Sequence, residues 1–239
     1  KKCFLTRLRL LMIIASAVFF WLPSRYVVPI VMYPHVTHSE RPQPKWVSPE
    51  NFQWQMAYLK DNGFNVIRLG ELVDATVAGR SLPRKTAVIT FDDGYADNEL
   101  HALPVLMRYA IPATVFISTG FLNGGRMWND SIIEAPRSFR DEKLDLRELN
   151  LDCYNLDCIE QRLVSAESII GKIKHLDPGV RMDIVHKIAE RVTDLPNDIM
   201  LTDEQVQSLA SNGVTIGAHT VNHPILSSVP DDIARNEIS

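Results

Sequence analysis

The sequence predicts an α/β domain built on a parallel sheet. Short runs of apolar, β-branched residues recur along the chain, and each is followed by a stretch with helical spacing or capping residues. That alternation builds strand–helix–strand units, whose parallel strands are covered by helices. A length of 239 residues, with 46% hydrophobic and 23% charged residues, suits one barrel-like α/β domain or two small ones with a buried core. No internal repeat or low-complexity tract interrupts the pattern.

The elements come in this order. Lys1, Lys2, Arg7 and Arg9 precede an apolar run at residues 10–22, and the first acidic residue is Glu40. A basic segment followed by a short apolar one is signal-peptide or signal-anchor chemistry, assigned here to residues 1–25. The run is shorter than the ~20 residues of a usual membrane span. Ala15-Ser16-Ala17 resembles a cleavage site, but cutting there leaves a very short apolar region, so an uncleaved or late-cleaved export signal is the reading adopted. A buried helix is its alternative.

Residues 26–239 then read as one domain. Residues 27–33 form a buried strand. Ser48-Pro49 supplies an N-cap and a first-turn proline, Phe52, Met56 and Leu59 follow at helical spacing, and Gly63 ends the helix. Strands are expected at 64–68, 86–91, 113–118 and 214–218. A helix is expected over 98–109, with Leu100, Leu103 and Met107 on one face. Thr202 to Gln205 matches a capping box ahead of a helix that Gly213 stops, and another helix begins at Asp231. Between about 126 and 200 helical patterning appears without a clear strand, so this stretch is read as a helical insertion. Its acidic, leucine-containing part, Asp141 to Asp157, is read as a solvated helical face.

A net charge of −4 and the lack of a basic stripe argue against a nucleic-acid partner. Cys3, Cys153 and Cys158 make neither a disulfide scaffold nor a zinc ribbon. Cys153 and Cys158 either pair in an oxidising compartment or remain thiols.

Two short segments carry chemistry. Thr90-Phe91-Asp92-Asp93-Gly94-Tyr95 sits at the C-terminal end of a buried strand. Adjacent carboxylates there are costly to bury unpaired. On extended backbone they point to opposite sides, so one can bind a cation while its neighbour faces a substrate. An ordinary surface turn is the alternative. A calcium loop fits poorly, since no carboxylate stands at its twelfth position. His219-Thr220-Val221-Asn222-His223-Pro224 comes directly after the last predicted strand, and two imidazoles four residues apart converge on one cation if the segment turns. Together, an Asp and two His at the ends of two parallel strands make a three-ligand site with room for water, which is what a catalytic metal needs.

Thr90 to Gly94 resembles the first motif of the polysaccharide deacetylase family (NodB-homology, carbohydrate esterase 4), and His219 to His223 resembles its second. Val31-Met32-Tyr33 on the first strand is also similar, and Gly124 to Asp130 resembles one branch of the family. The resemblance implies a distorted (β/α) barrel, here incomplete at its C-terminus and carrying the helical insertion. It implies Asp92 as catalytic base and Asp93, His219 and His223 as ligands of one divalent metal, zinc in the first instance, with Co²⁺, Ni²⁺ or Mn²⁺ as alternatives. The metal polarises the amide carbonyl of an N-acetylglucosamine unit and activates water, and acetate leaves. The implied partner is an N-acetylglucosamine polysaccharide. With residues 10–22 as a membrane-associating segment, the implied location is the exported face of a bacterial envelope. Tyr95 is expected to line the cleft. Trp128, after a Gly-Gly turn, either stacks on a pyranose face or docks the insertion.

Two departures accompany the resemblance. The family has His directly after Met-Tyr on the first strand, whereas here Pro34 stands there and His35 follows, a one-residue shift expected to turn the imidazole away. The family's later motifs, including the Leu-x-His whose histidine protonates the leaving amine, are not in the sequence, and neither His101 nor His186 stands in for it. The alternatives are therefore an O-acetyl esterase on a polymer such as acetylated xylan, or a metal- or glycan-binding remnant without a general acid.

Overall fold

The structure is a computed structural model that describes residues 27–38 and 46–239. The expected export segment, 1–25, and Cys3 lie outside the described residues. Among those described, no helix is long and apolar enough to cross a membrane.

The strands, in chain order, are β1 (Ile30–Tyr33), β2 (His35–Val36), β3 (Trp46–Val47), β4 (Asn65–Val66), β5 (Thr86–Phe91), β6 (Thr114–Ile117), β7 (Lys143–Asp145), β8 (Cys153–Asn155) and β9 (Thr215–Ala218). The main sheet runs β1-β5-β6-β9 with every pair parallel, and β4 pairs with the first residues of β5. β5 is buried at all six positions, as a central strand covered on both faces must be.

The core lies against this strand. Ile89, Phe91, Val115 and Ile117 pack with Phe52 and Met56 of the helix Pro49–Asp61, Leu103 and Leu106 of the helix Leu103–Tyr109, and Leu209 of the helix Asp203–Ser211. Each such side chain, fully buried, contributes roughly 1.5–3 kcal/mol. Phe52 meets Tyr33 and Phe91 edge-on, with centroids 5.0 and 5.8 Å apart.

Helix starts obey the local chemistry. Ser48 accepts from the Asn51 N–H at 3.2 Å, with Pro49 in the first turn. Thr202 and Gln205 exchange side-chain and backbone bonds in a capping box. Gly63, at φ +66°, supplies the left-handed residue just past the helix Pro49–Asp61.

Three expectations are corrected. A helix at Leu69–Val77 adds an element that the alternation did not include. The segment 98–109 is a wide turn over Asn98–Ala102 followed by a helix at Leu103–Tyr109, and it buries Ala102, Leu103, Val105 and Leu106 while Leu100 and Met107 are exposed. The change of pitch at residue 102 rotates the face that meets the core. The stretch 126–200 carries helices at Trp128–Ser138, Ile159–Ile173 and Pro178–Ala189 around their own apolar cluster, but it also contains the antiparallel pair β7–β8. Asp141 to Asp157 is therefore not a helical face. Leu144, Leu146, Tyr154 and Leu156 are buried while Asp145 and Asn155 point out, a period-two alternation within a charged setting. Cys153 and Cys158 are free and exposed, not paired.

Candidate metal centre

Because the sheet is parallel, the segments leaving its strands all emerge at one rim, where open α/β sheets bind ligands. Asp92 and Asp93 stand just past β5, Ser118 to Gly120 past β6, and His219 past β9. Asp93 at φ +77° and Gly94 at φ +88° turn the chain sharply off the strand. A side chain at Gly94 would press on Ile117 at 3.1–3.3 Å, so this turn is seated tightly against β6.

Asp93, His219 and His223 come together, with one donor atom from each within 4.8 Å of the others. Asp93 Oδ1 lies 3.3 Å from His219 Nε2 and 3.4 Å from His223 Nε2. Ligands about 2.0–2.1 Å from a tetrahedral zinc stand roughly 3.3 Å apart, so this spacing fits a first-row divalent ion. A carboxylate with two imidazoles is also the donor chemistry that zinc and its neighbours accept.

The electrostatics divide the two carboxylates. Burial pushes Asp93 upward, but the hydrogen bond with His219 and the charges of His223, His219 and His35 outweigh it and leave the group below the ordinary range. Asp92 is raised, chiefly by burial, with Asp93 adding to the rise and the two histidines opposing it. His219 is raised by its bond to Asp93, whereas burial lowers His223. A low-lying ligand thus stands beside a carboxylate with greater proton affinity.

The histidine loop is fixed on its β6 side. Ser118 Oγ donates to the His219 carbonyl at 2.8 Å, and the Gly120 N–H donates to the Val221 carbonyl at 2.9 Å. A Cβ at Gly120 would fall 2.7 Å from that carbonyl oxygen, so the approach needs glycine.

Tyr95 is corrected as a cleft-lining residue, and Trp128 is found against the insertion. Tyr95 is 3% exposed, and its hydroxyl donates to the Asp130 carboxyl at 3.1 and 3.2 Å. Burial raises its pKa, with the Asp130 charge adding to the rise. Trp128 packs on the apolar cluster of the insertion, and the Arg181 guanidinium lies 4.8 Å from its ring centroid.

Two titratable side chains, His35 and Asp130, meet at Tyr95. His35 is held by Asp97, Nδ1 to Oδ2 at 2.8 Å, and its ring lies 3.7 Å from that of Tyr95. Its charge is the smallest of the influences that lower Asp93. Asp130, on the insertion's first helix, is 6% exposed, and burial lifts it to about 7.

Fold and site together define a parallel α/β domain with a candidate three-ligand metal centre at one rim of its sheet. Residues 79–149 match the family model described as polysaccharide deacetylase. The chain is 33% identical over 90 residues to YxkH of Bacillus subtilis (strain 168), covering 38% of this chain and 31% of that protein. It is 32% identical over 91 residues to the poly-beta-1,6-N-acetyl-D-glucosamine N-deacetylase of Escherichia coli (strain K12), covering 38% of this chain and 12% of the other. To the enzyme of the same name from Staphylococcus epidermidis it is 23% identical over 177 residues, covering 72% of this chain and 60% of the other. The chain thus spans under two thirds of each. Among solved structures, the Streptococcus pyogenes deacetylase PplD in complex with acetate matches with a TM-score of 0.53 at 20% identity, over 90% of this chain and 66% of that one. The chain is thus similar to polysaccharide deacetylases over part of its length, and its fold is similar to that of a solved deacetylase.

Proposed function

We propose that this protein catalyses metal-dependent hydrolysis of the N-acetyl group on N-acetylglucosamine units of an exported or cell-envelope polysaccharide. The observation that carries the reading is the convergence of Asp93 with His219 and His223 at zinc-like spacing, with Asp92 directly beside them. Relatives named N-deacetylases support an amide over an ester substrate. The export assignment rests on the basic and apolar segment at the N-terminus.

Asp93, His219 and His223 hold the ion, which when bound supplies Lewis-acid polarisation of the acetyl carbonyl and a more acidic water. Asp92 takes the proton from the attacking water, and burial raises its proton affinity above that of an ordinary carboxylate. His35 is the candidate for handling the proton that the leaving amine requires, since Asp97 fixes its ring and tautomer.

The test strips divalent metal from the protein, returns zinc or cobalt, and measures acetate released from N-acetylglucosamine oligomers and from acetylated xylan. Release from the oligomers that depends on added metal is expected. Release from xylan alone transfers the reading to an O-acetyl esterase, and no release from either by folded, metal-loaded protein refutes it.

A further inference from the structure

The loop between the two histidines is gripped by a carboxylate that belongs to neither motif. Glu237, on the helix Asp231–Ile238, is 8% exposed although it lies among polar neighbours in sequence. Its Oε2 accepts from the N–H groups of Val221 at 2.9 Å and Asn222 at 2.7 Å, and its Oε1 accepts from Asn222 Nδ2 at 2.8 Å.

The neighbouring amides of the loop are satisfied elsewhere. The His219 N–H donates to the Ile117 carbonyl at 2.8 Å, and the His223 N–H donates to Thr220 Oγ1 at 3.0 Å. Val221 and Asn222 are the two whose partner comes from the helix, and one oxygen of one side chain satisfies both.

This grip bears on the site because the loop is strained. Thr220 and His223 sit at φ +67° and +50°, conformations that residues with a side chain keep only where their surroundings enforce them. The strands and the Ser118 to Gly120 turn hold one side of the loop, and Glu237 holds the other. His223, the second of the two imidazoles, comes directly after the gripped amides.

We propose that Glu237 is a positioning residue of the metal centre, which sets the separation of His219 and His223 through the backbone amides between them. The inference rests on the reading that these histidines hold a metal.

Length at position 237 is then the critical property. E237D keeps the charge but withdraws the carboxylate by one methylene. E237Q keeps the reach: its carbonyl meets the two amides, and the Asn222 side chain turns over to face its NH₂ group. N236A on the same helix is the control. The measurements, on the full chain, are hydrogen exchange of the Val221 and Asn222 amides without metal, zinc affinity by competition titration, and the visible spectrum of the cobalt form.

The parent, E237Q and N236A are expected to protect both amides and to bind zinc alike. E237D is expected to exchange both amides faster, to lose on the order of 10–100-fold in zinc affinity and to change the cobalt spectrum. An E237D protein that binds zinc as tightly as the parent with an unchanged spectrum overturns the proposal, as do unprotected amides in the parent. If parent and variants all fail to bind either metal, the metal reading fails and the proposal falls with it, a pattern distinct from a defect confined to E237D.

Discussion

Replacing Asp130 with asparagine removes a buried ionisable group while keeping its shape and its acceptor for the Tyr95 hydroxyl. The carboxyl lies on the insertion's first helix and also accepts from Asn129 Nδ2 at 3.3 Å. Burial lifts it from 3.8 to about 7, opposed by the His35 charge and the Tyr95 bond and reinforced by Asp93 and Glu134. Its folded pKa is above its unfolded one, so the folded state keeps a proton that the unfolded chain releases. The stability this confers is fully present below about pH 4 and is lost as pH rises to about 7. A shift of about three units corresponds to about 4 kcal/mol over that window. D130N lacks this dependence. Urea unfolding of parent and D130N at intervals from pH 4 to pH 8 isolates it, because the other titrating groups cancel in the difference. The variant is expected to gain on the parent progressively up to about pH 7 and to hold a constant advantage above. A difference that is flat in pH, or that shrinks as pH rises, refutes the assignment of Asp130 as a buried, protonated carboxyl.

Other expectations rest on the same packing. G120A drives a Cβ to 2.7 Å from the Val221 carbonyl and 2.9 Å from Asn222 Oδ1, so it should cost about 1–3 kcal/mol in denaturant unfolding and weaken zinc binding in a titration. H35F should leave zinc affinity intact while lowering kcat for acetate release on the order of 10²–10⁴-fold, and an unchanged kcat removes His35 from the chemistry. T202A deletes the capping-box hydroxyl and should cost about 1 kcal/mol in thermal unfolding without touching metal affinity.

The features legible in the sequence are the local ones. β5 announces itself as an unbroken apolar run, and the carboxylates at its end lie in the same six-residue segment. His219 and His223 are similarly contiguous, so chemistry and strand context appear together. The capping residues Ser48 and Thr202 act within three positions of themselves. Other partnerships join residues remote in sequence. His35 and Asp97 are 62 residues apart and Tyr95 and Asp130 are 35 apart, so no pattern in either segment discloses the bond. Tyr95 adjoins the carboxylates, which suggests a cleft residue, yet the turn at Asp93 and Gly94 sends it inward. Trp128 comes after two glycines, which suggests exposure, but Arg181 from a later helix covers its ring. The β7–β8 pair escapes a propensity reading because three-residue strands carry little signal, although the alternation of Leu144, Asp145 and Leu146 is there in the sequence.

The central claim divides two adjacent carboxylates between two tasks, Asp93 to hold the metal and Asp92 to take the proton. D92N and D93N separate them when zinc stoichiometry and acetate release are measured on the same preparations. The account predicts that D92N retains one zinc per chain but loses acetate release, while D93N loses both. A D92N protein that turns over at the parent rate, or a D93N protein that still binds one zinc at parent affinity, contradicts it.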